Sequence, residues 1–193
     1  SATMRARISA WPPDENVSAP GNAGGTGANG HTGADGTAGA VGAAGTNGTV
    51  SFTSTTGDIA VEYDHFATGN TITANAGTGK ATIAPFTPTT AIQVGNGATD
   101  RVDFGAENFT TGGISASTLQ IGDANNTGGI SVAGNFDPGF ATLHLDTSGA
   151  ISNAVSTNTV TAANLALTAG SGIGAGIATL VDATKLAAEN TSS

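Results

Sequence analysis

From residue 50 onward, apolar and polar residues alternate in short strings, the period of strands with one buried face. The strings are SFTST (51–55), DIAVEY (58–63), TITANA (71–76), KATIAPF (80–86), AIQVG (91–95) and RVDF (101–104). They continue as STLQIG (117–122), GISVAG (129–134), ATLHLD (141–146), NTVTAANLALTA (158–169) and ATLVD (178–182). Gly, Asn, Asp and Thr separate them, the residues that end strands and turn corners. Only DATKLAAEN (182–190) admits a short helix, and it reads better as another strand.

A repeat runs through these strings. The apolar pair recurs as TLQI at 118–121, TLHL at 142–145 and NLAL at 164–167, at spacings of 24 and 22 residues. One coil of a parallel β-helix holds about two dozen residues, and stacking coils sets like side chains on like. Leu119, Leu143 and Leu165 are therefore expected to form one interior column, and Ile121, Leu145 and Leu167 the next. A sandwich would need tight hairpin dipeptides between strands, and the separators here are longer and irregular. The fold class expected is all-β, a right-handed parallel β-helix.

The alternation does not reach the first quarter of the chain. Residues 1–20 hold the single Trp with Pro12, Pro13 and Pro20, and read as an extended arm. Residues 21–49 form a triplet segment, and 50–193 the solenoid body. In the triplet segment glycine stands at Gly21, Gly24, Gly27, Gly30, Gly33, Gly36, Gly39, Gly42, Gly45 and Gly48, without a proline. Glycine at every third position implies a threefold helix of polyproline II type with one edge bare of side chains. Collagen buries such an edge at a three-chain axis but relies on proline, so a bundle of polyglycine-II type fits better, with self-association through the bare edge. A flexible glycine-rich linker is the plainer alternative. The triplets, including GADG and GTAGA, are similar to those of snow-flea-type antifreeze proteins.

Composition narrows the function classes. Leu, Ile, Val and Phe number 35 of 193 residues, and all but Ile8, Val17 and Val41 lie at or after residue 50, so the body alone can build a core. The net charge is −9, with only Arg5, Arg7, Lys80, Arg101 and Lys185 as strong bases. No basic patch exists to neutralise phosphates or anionic lipid, so neither nucleic acid nor membrane is an expected partner. The absence of cysteine rules out disulfides and thiolate metal sites. The opening residues have no apolar signal-peptide core, and no 18-residue apolar run occurs, so the chain reads as a mature secreted product, a segment of something longer or a cytosolic protein, and the rest of the pattern favours the first two.

The strings ATIAPFTPTTAIQVG (81–95), STLQIGD with GGISVAG (117–134), ATLHLDTSGAIS (141–152) and AANLALTAGSGIG (162–174) resemble the repeats of filamentous-haemagglutinin-like exoproteins of Gram-negative bacteria. The resemblance covers roughly residues 51–190. It implies a right-handed β-helical shaft exported to the cell surface and acting as adhesin or fibrous scaffold. The secretion signature of that family, of Asn-Pro-Asn-Gly type, is missing.

Chemical motifs add little. GGTGANGHT (24–32) partly fits a calcium-binding nonapeptide of β-rolls, but the pattern lapses in the next nine residues. Glu62, Asp64 and His65 are hard metal ligands at close spacing, more simply read as a solvated face. Asp100, Arg101 and Asp103 read as a surface loop with weak local ion pairs. Thr-x-Thr sites begin at residues 53, 71, 87, 157 and 159, not at one rung spacing as an ice-binding ladder requires. No carboxylate pair or Ser–His–Asp set emerges, so no enzyme, catalytic residue, metal or cofactor is expected. Sequons at Asn16, Asn47, Asn108 and Asn125 occur as chance allows. The expected function is a structural subunit of a secreted or bacterial surface fibre, self-associating through its ends and the glycine segment. The alternative is an adhesin fragment that binds a host or neighbouring cell, with contacts on exposed coil faces or on loops such as 96–116.

Overall fold

The computed structural model describes residues 4–8, 49–55, 57–64, 71–104, 107–174 and 176–191. The glycine run 21–48, with its expected bundle, and His31 and His65 lie outside the described residues. Strands numbered in chain order begin with β1 (Met4–Ile8), β2 (Thr49–Thr53), β3 (Ile59–Tyr63), β4 (Thr71–Asn75), β5 (Lys80–Ala84) and β6 (Ile92–Val94). Next come β7 (Arg101–Phe104), β8 (Glu107–Thr110), β9 (Ile114–Ser115), β10 (Thr118–Ile121), β11 (Ile130–Val132) and β12 (Thr142–Thr147). The last are β13 (Ile151–Asn153), β14 (Thr159–Thr161), β15 (Asn164–Ala169), β16 (Leu180–Asp182) and β17 (Lys185–Asn190). The segment 185–190 is thus strand, not helix.

These strands wind into a parallel β-solenoid of about six turns. Its first side is a seven-stranded sheet in the order β1-β3-β5-β10-β12-β15-β17, parallel throughout. At roughly 4.8 Å per strand the column stands on the order of 30 Å tall. The second side is a five-stranded sheet, β13-β11-β6-β7-β8. The third side consists of β2-β4-β9 in the early coils and β14-β16 in the late ones, where Phe136 bridges to Val160.

Register makes the interior. Leu119 pairs with Ala81 and Leu143, Leu143 with Leu165, and Leu165 with Leu186, while Met4 and Ile59 continue the same column through Ala81. The neighbouring column runs Ala6, Val61, Ile83, Ile121, Leu145, Leu167, Ala188. Both β12 and β15 alternate half-buried and buried, as a sheet with one solvated face must. Leu119, Ile121, Leu143 and Leu145 are sealed from solvent, and one cluster joins these columns to Ile92, Ile130 and Ile151 from the second side.

Asparagine and threonine hold the corners. Buried Asn126 donates Nδ2 to the Thr90 carbonyl at 2.8 Å and accepts from Thr147 Oγ1 at 3.0 Å, joining three successive coils. Asn153 Nδ2 donates to the carbonyls of Asn158 (3.0 Å) and Ala178 (3.1 Å). Each bond satisfies backbone groups that a corner takes out of the strand ladder. Elsewhere the coils come too close for side chains: a Cβ on Gly134 would stand 2.0 Å from the Gly95 carbonyl oxygen.

Two features depart from the sequence reading. Residues 4–8, expected in an extended arm, form the first strand of the seven-stranded sheet, since Met4, Ala6 and Ile8 alternate as a strand requires. The span 96–116, expected as a loop, contains an antiparallel ribbon in which β7 pairs with β6 and β8 with β7. This ribbon extends the second side away from β11, down to the level of the first two coils. Val102 and Phe104 enter the core there, with the Phe104 ring 4.8 Å from that of Tyr63.

Candidate assembly surfaces

A solenoid has two ends, and each is an open sheet edge lying over an apolar interior. At the late end every residue of β17 is exposed. Leu186 continues the column of Leu119, Leu143 and Leu165, yet it is 52% exposed where Leu143 is 0%. Leu180 and Ile177 of the same last coil are also exposed. Three of the four exposed large apolar residues among those described thus gather at this end, the fourth being Val155. Among the described residues no strand pairs with the outer edge of β17, and none with the outer edge of β1.

The outer face of the seven-stranded sheet carries a polar chain across coils. Lys80 Nζ donates to Gln120 Oε1 at 2.8 Å, and Gln120 Nε2 donates to Asp146 Oδ2 at 3.2 Å. His144 Nε2 lies 3.0 Å from Thr168 Oγ1 one coil on. Beside this chain Asp58, Glu62, Lys80, Thr82, Gln120 and Asp123 line a shallow cleft of about 210 Å³. Lys80, Gln120 and Asp146 spend hydrogen bonds on one another, as the rungs of an inter-coil ladder do.

Burial lowers the His144 pKa, with Asp146 opposing and Lys80 reinforcing it. Burial also raises Asp146, with His144 opposing and Asp123 reinforcing. The signs separate in pH. The unfolded chain protonates its histidine near 6.5 while the folded chain resists, so the stability contributed by neutral His144 is full above 6.5 and lost as pH falls below it. Asp146 acts in the opposite sense at lower pH, where protonation favours the fold. The urea midpoint is therefore expected to drop between pH 7.5 and 5.5, and His144→Gln to flatten that drop. An equal drop in both proteins would dissociate it from His144.

The charged clusters seen in the sequence take other positions than expected. Glu62 is buried on β3 rather than set on a solvated face. Asp64 accepts hydrogen bonds from the Thr87 backbone and from Thr87 Oγ1 (2.6 Å), fastening one coil to the next at a strand end. Arg101 and Asp103 stand on strand β7, not in a loop, and Asp103 is 3% exposed. Burial raises the Asp103 pKa, while Asn96 and Arg101 pull it down. The Asn96 contact, at 3.4 Å, is weak. Among the described residues no three His, Asp or Glu side chains converge to hold a metal.

The sequence places the open ends where the strand pattern stops and suggests self-association there, without naming the residues that line them. Their apolar character depends on Leu186 lying in register with Leu165, which the less regular KLAA string did not signal. Compared with protein-family models, curated proteins and solved structures, the chain matches none.

Proposed function

We propose that this chain is a structural subunit of an extracellular or cell-surface fibre, which grows by stacking solenoid on solenoid. The observation that carries the proposal is the late end of the column, where Leu186 and all of β17 stand exposed in line with a sealed interior. A parallel strand edge over an apolar column is satisfied by one more coil of the same kind. The contact between a late end and an early end is heterologous and does not close, so it generates a filament rather than a dimer. An adhesin would place its contacts on exposed coil faces or on loops such as 96–116; much of that span is built into the second side as β7 and β8, and the open late end is what favours the fibre reading.

A concentration series by sedimentation velocity and negative-stain microscopy tests this. Rods that lengthen with concentration are expected. Leu186→Glu, at a half-exposed position, is expected to keep the circular dichroism of the parent and to abolish the rods. Compact monomers of the parent chain at millimolar concentration would overturn the proposal.

A further inference from the structure

The ladder that sets the coils in register also sets the register of the next subunit, and the charges at the two ends agree with it. Met4 and Leu186 occupy one column of the seven-stranded sheet, Arg5 and Ala187 the next position, and Ala6 and Ala188 the one after. By the same count Arg7 and Glu189 share one register position, Arg7 pairing with Glu62 and Glu189 with Thr168. Resting on the fibre reading, we propose that β1 of a second copy adds in parallel to β17, with Met4 over Leu186 and Arg7 over Glu189.

Charge favours this partner over other contacts between copies. The chain carries −9 overall, so most surfaces of two copies repel. Among the described residues β1 is the one strand with two basic residues, Arg5 and Arg7, and it has no acid. The strands of the late end contribute the carboxylates of Asp182 and Glu189 against a single Lys185. Opposite charges facing each other across strands stabilise a pairing, and like charges oppose it. Late end against late end would bring these carboxylates together. Sliding the pair by one residue would turn Leu186 and Ala188 from the interior to the outside.

The chain has no cysteine, so engineered thiols report one contact at a time. Neighbouring Cα atoms of parallel strands lie about 4.8 Å apart, within disulfide range, whereas a two-residue slip separates them by about 8 Å, beyond it. Under mild oxidation, Arg5→Cys mixed with Ala187→Cys is expected to give a covalent dimer. Arg5→Cys mixed with Lys185→Cys is expected to give at least tenfold less. Glu189→Arg is expected to raise the concentration needed for rods severalfold in low salt, an effect that high salt erases. Equal yields from both mixtures, or Ala187→Cys dimers formed without the Arg5 variant, would overturn the register. Rods without the expected cross-link would do the same and leave the fibre reading standing. Absence of rods in the parent chain would remove both.

Discussion

Leu143→Ala is expected to cost about 2–5 kcal/mol of unfolding free energy, the range for emptying a sealed leucine site. Leu143 is 0% exposed and is held between Leu119 and Leu165 in the column. Neither neighbour can collapse into the space, because each is fixed by its own strand. The position matters as much as the volume. In a solenoid each coil contacts only the coils beside it, so a weak coil in the middle uncouples the two halves. Urea unfolding followed by far-ultraviolet circular dichroism should therefore show a lower midpoint and a broader or split transition. Leu186→Ala in the same column, where the leucine is 52% exposed, should leave the monomer nearly unchanged. Equal costs at the two positions would contradict the column as drawn.

Gly95→Ala is expected to be nearly as damaging, at about 2–5 kcal/mol, from backbone strain and overpacking together. Gly95 has φ of 75°, a left-handed conformation that side chains oppose. Its Cβ would also stand 2.3 Å from the carbonyl oxygen of Gly134 in the next coil, where only backbone can yield. Gly97 separates the two causes. It has φ of 84°, but its Cβ would meet nothing nearer than a terminal nitrogen of Arg101 at 3.4 Å. Gly97→Ala should thus carry the strain alone, about 1–2 kcal/mol. If the two variants unfold at the same urea concentration, the close approach of coils at Gly95 and Gly134 is not limiting.

How much of this was legible follows from what each residue signals alone. Period-two strings at 58–63, 80–86, 141–146 and 158–169 announced strands, and the TLQI, TLHL and NLAL repeat pointed to a solenoid, the architecture found. The earlier and later coils of the column escaped the repeat because alanine stands at the matching register positions, Ala6, Ala81 and Ala188. Alanine is too common in this chain to mark a buried site. Met4–Ile8 was obscured by its distance from β3, since the partner of a parallel strand can lie any length of chain away. The ribbon β7–β8 was half visible, RVDF reading as a strand and ENFT not. Its direction cannot be read from alternation, which is the same for parallel and antiparallel strands. The exposed late end was least legible, for Leu186 looks like any interior leucine until no further coil is found to cover it.

The ribbon also fixes an order of events as the chain folds. The second side at the level of the first two coils is occupied by β7 and β8, strands that follow β6 in sequence. A chain made or exported from its first residue therefore cannot complete those coils until Thr110 has emerged. The coils with a regular repeat, built on β10, β12 and β15, need only their immediate neighbours and can nucleate by short loop closures. On that route growth runs backwards towards β1, and the Met4–Ile8 edge is the last part of the column to be completed. If the chain is the fibre subunit proposed above, that order would keep a subunit still in passage from adding prematurely to the strand it is to join.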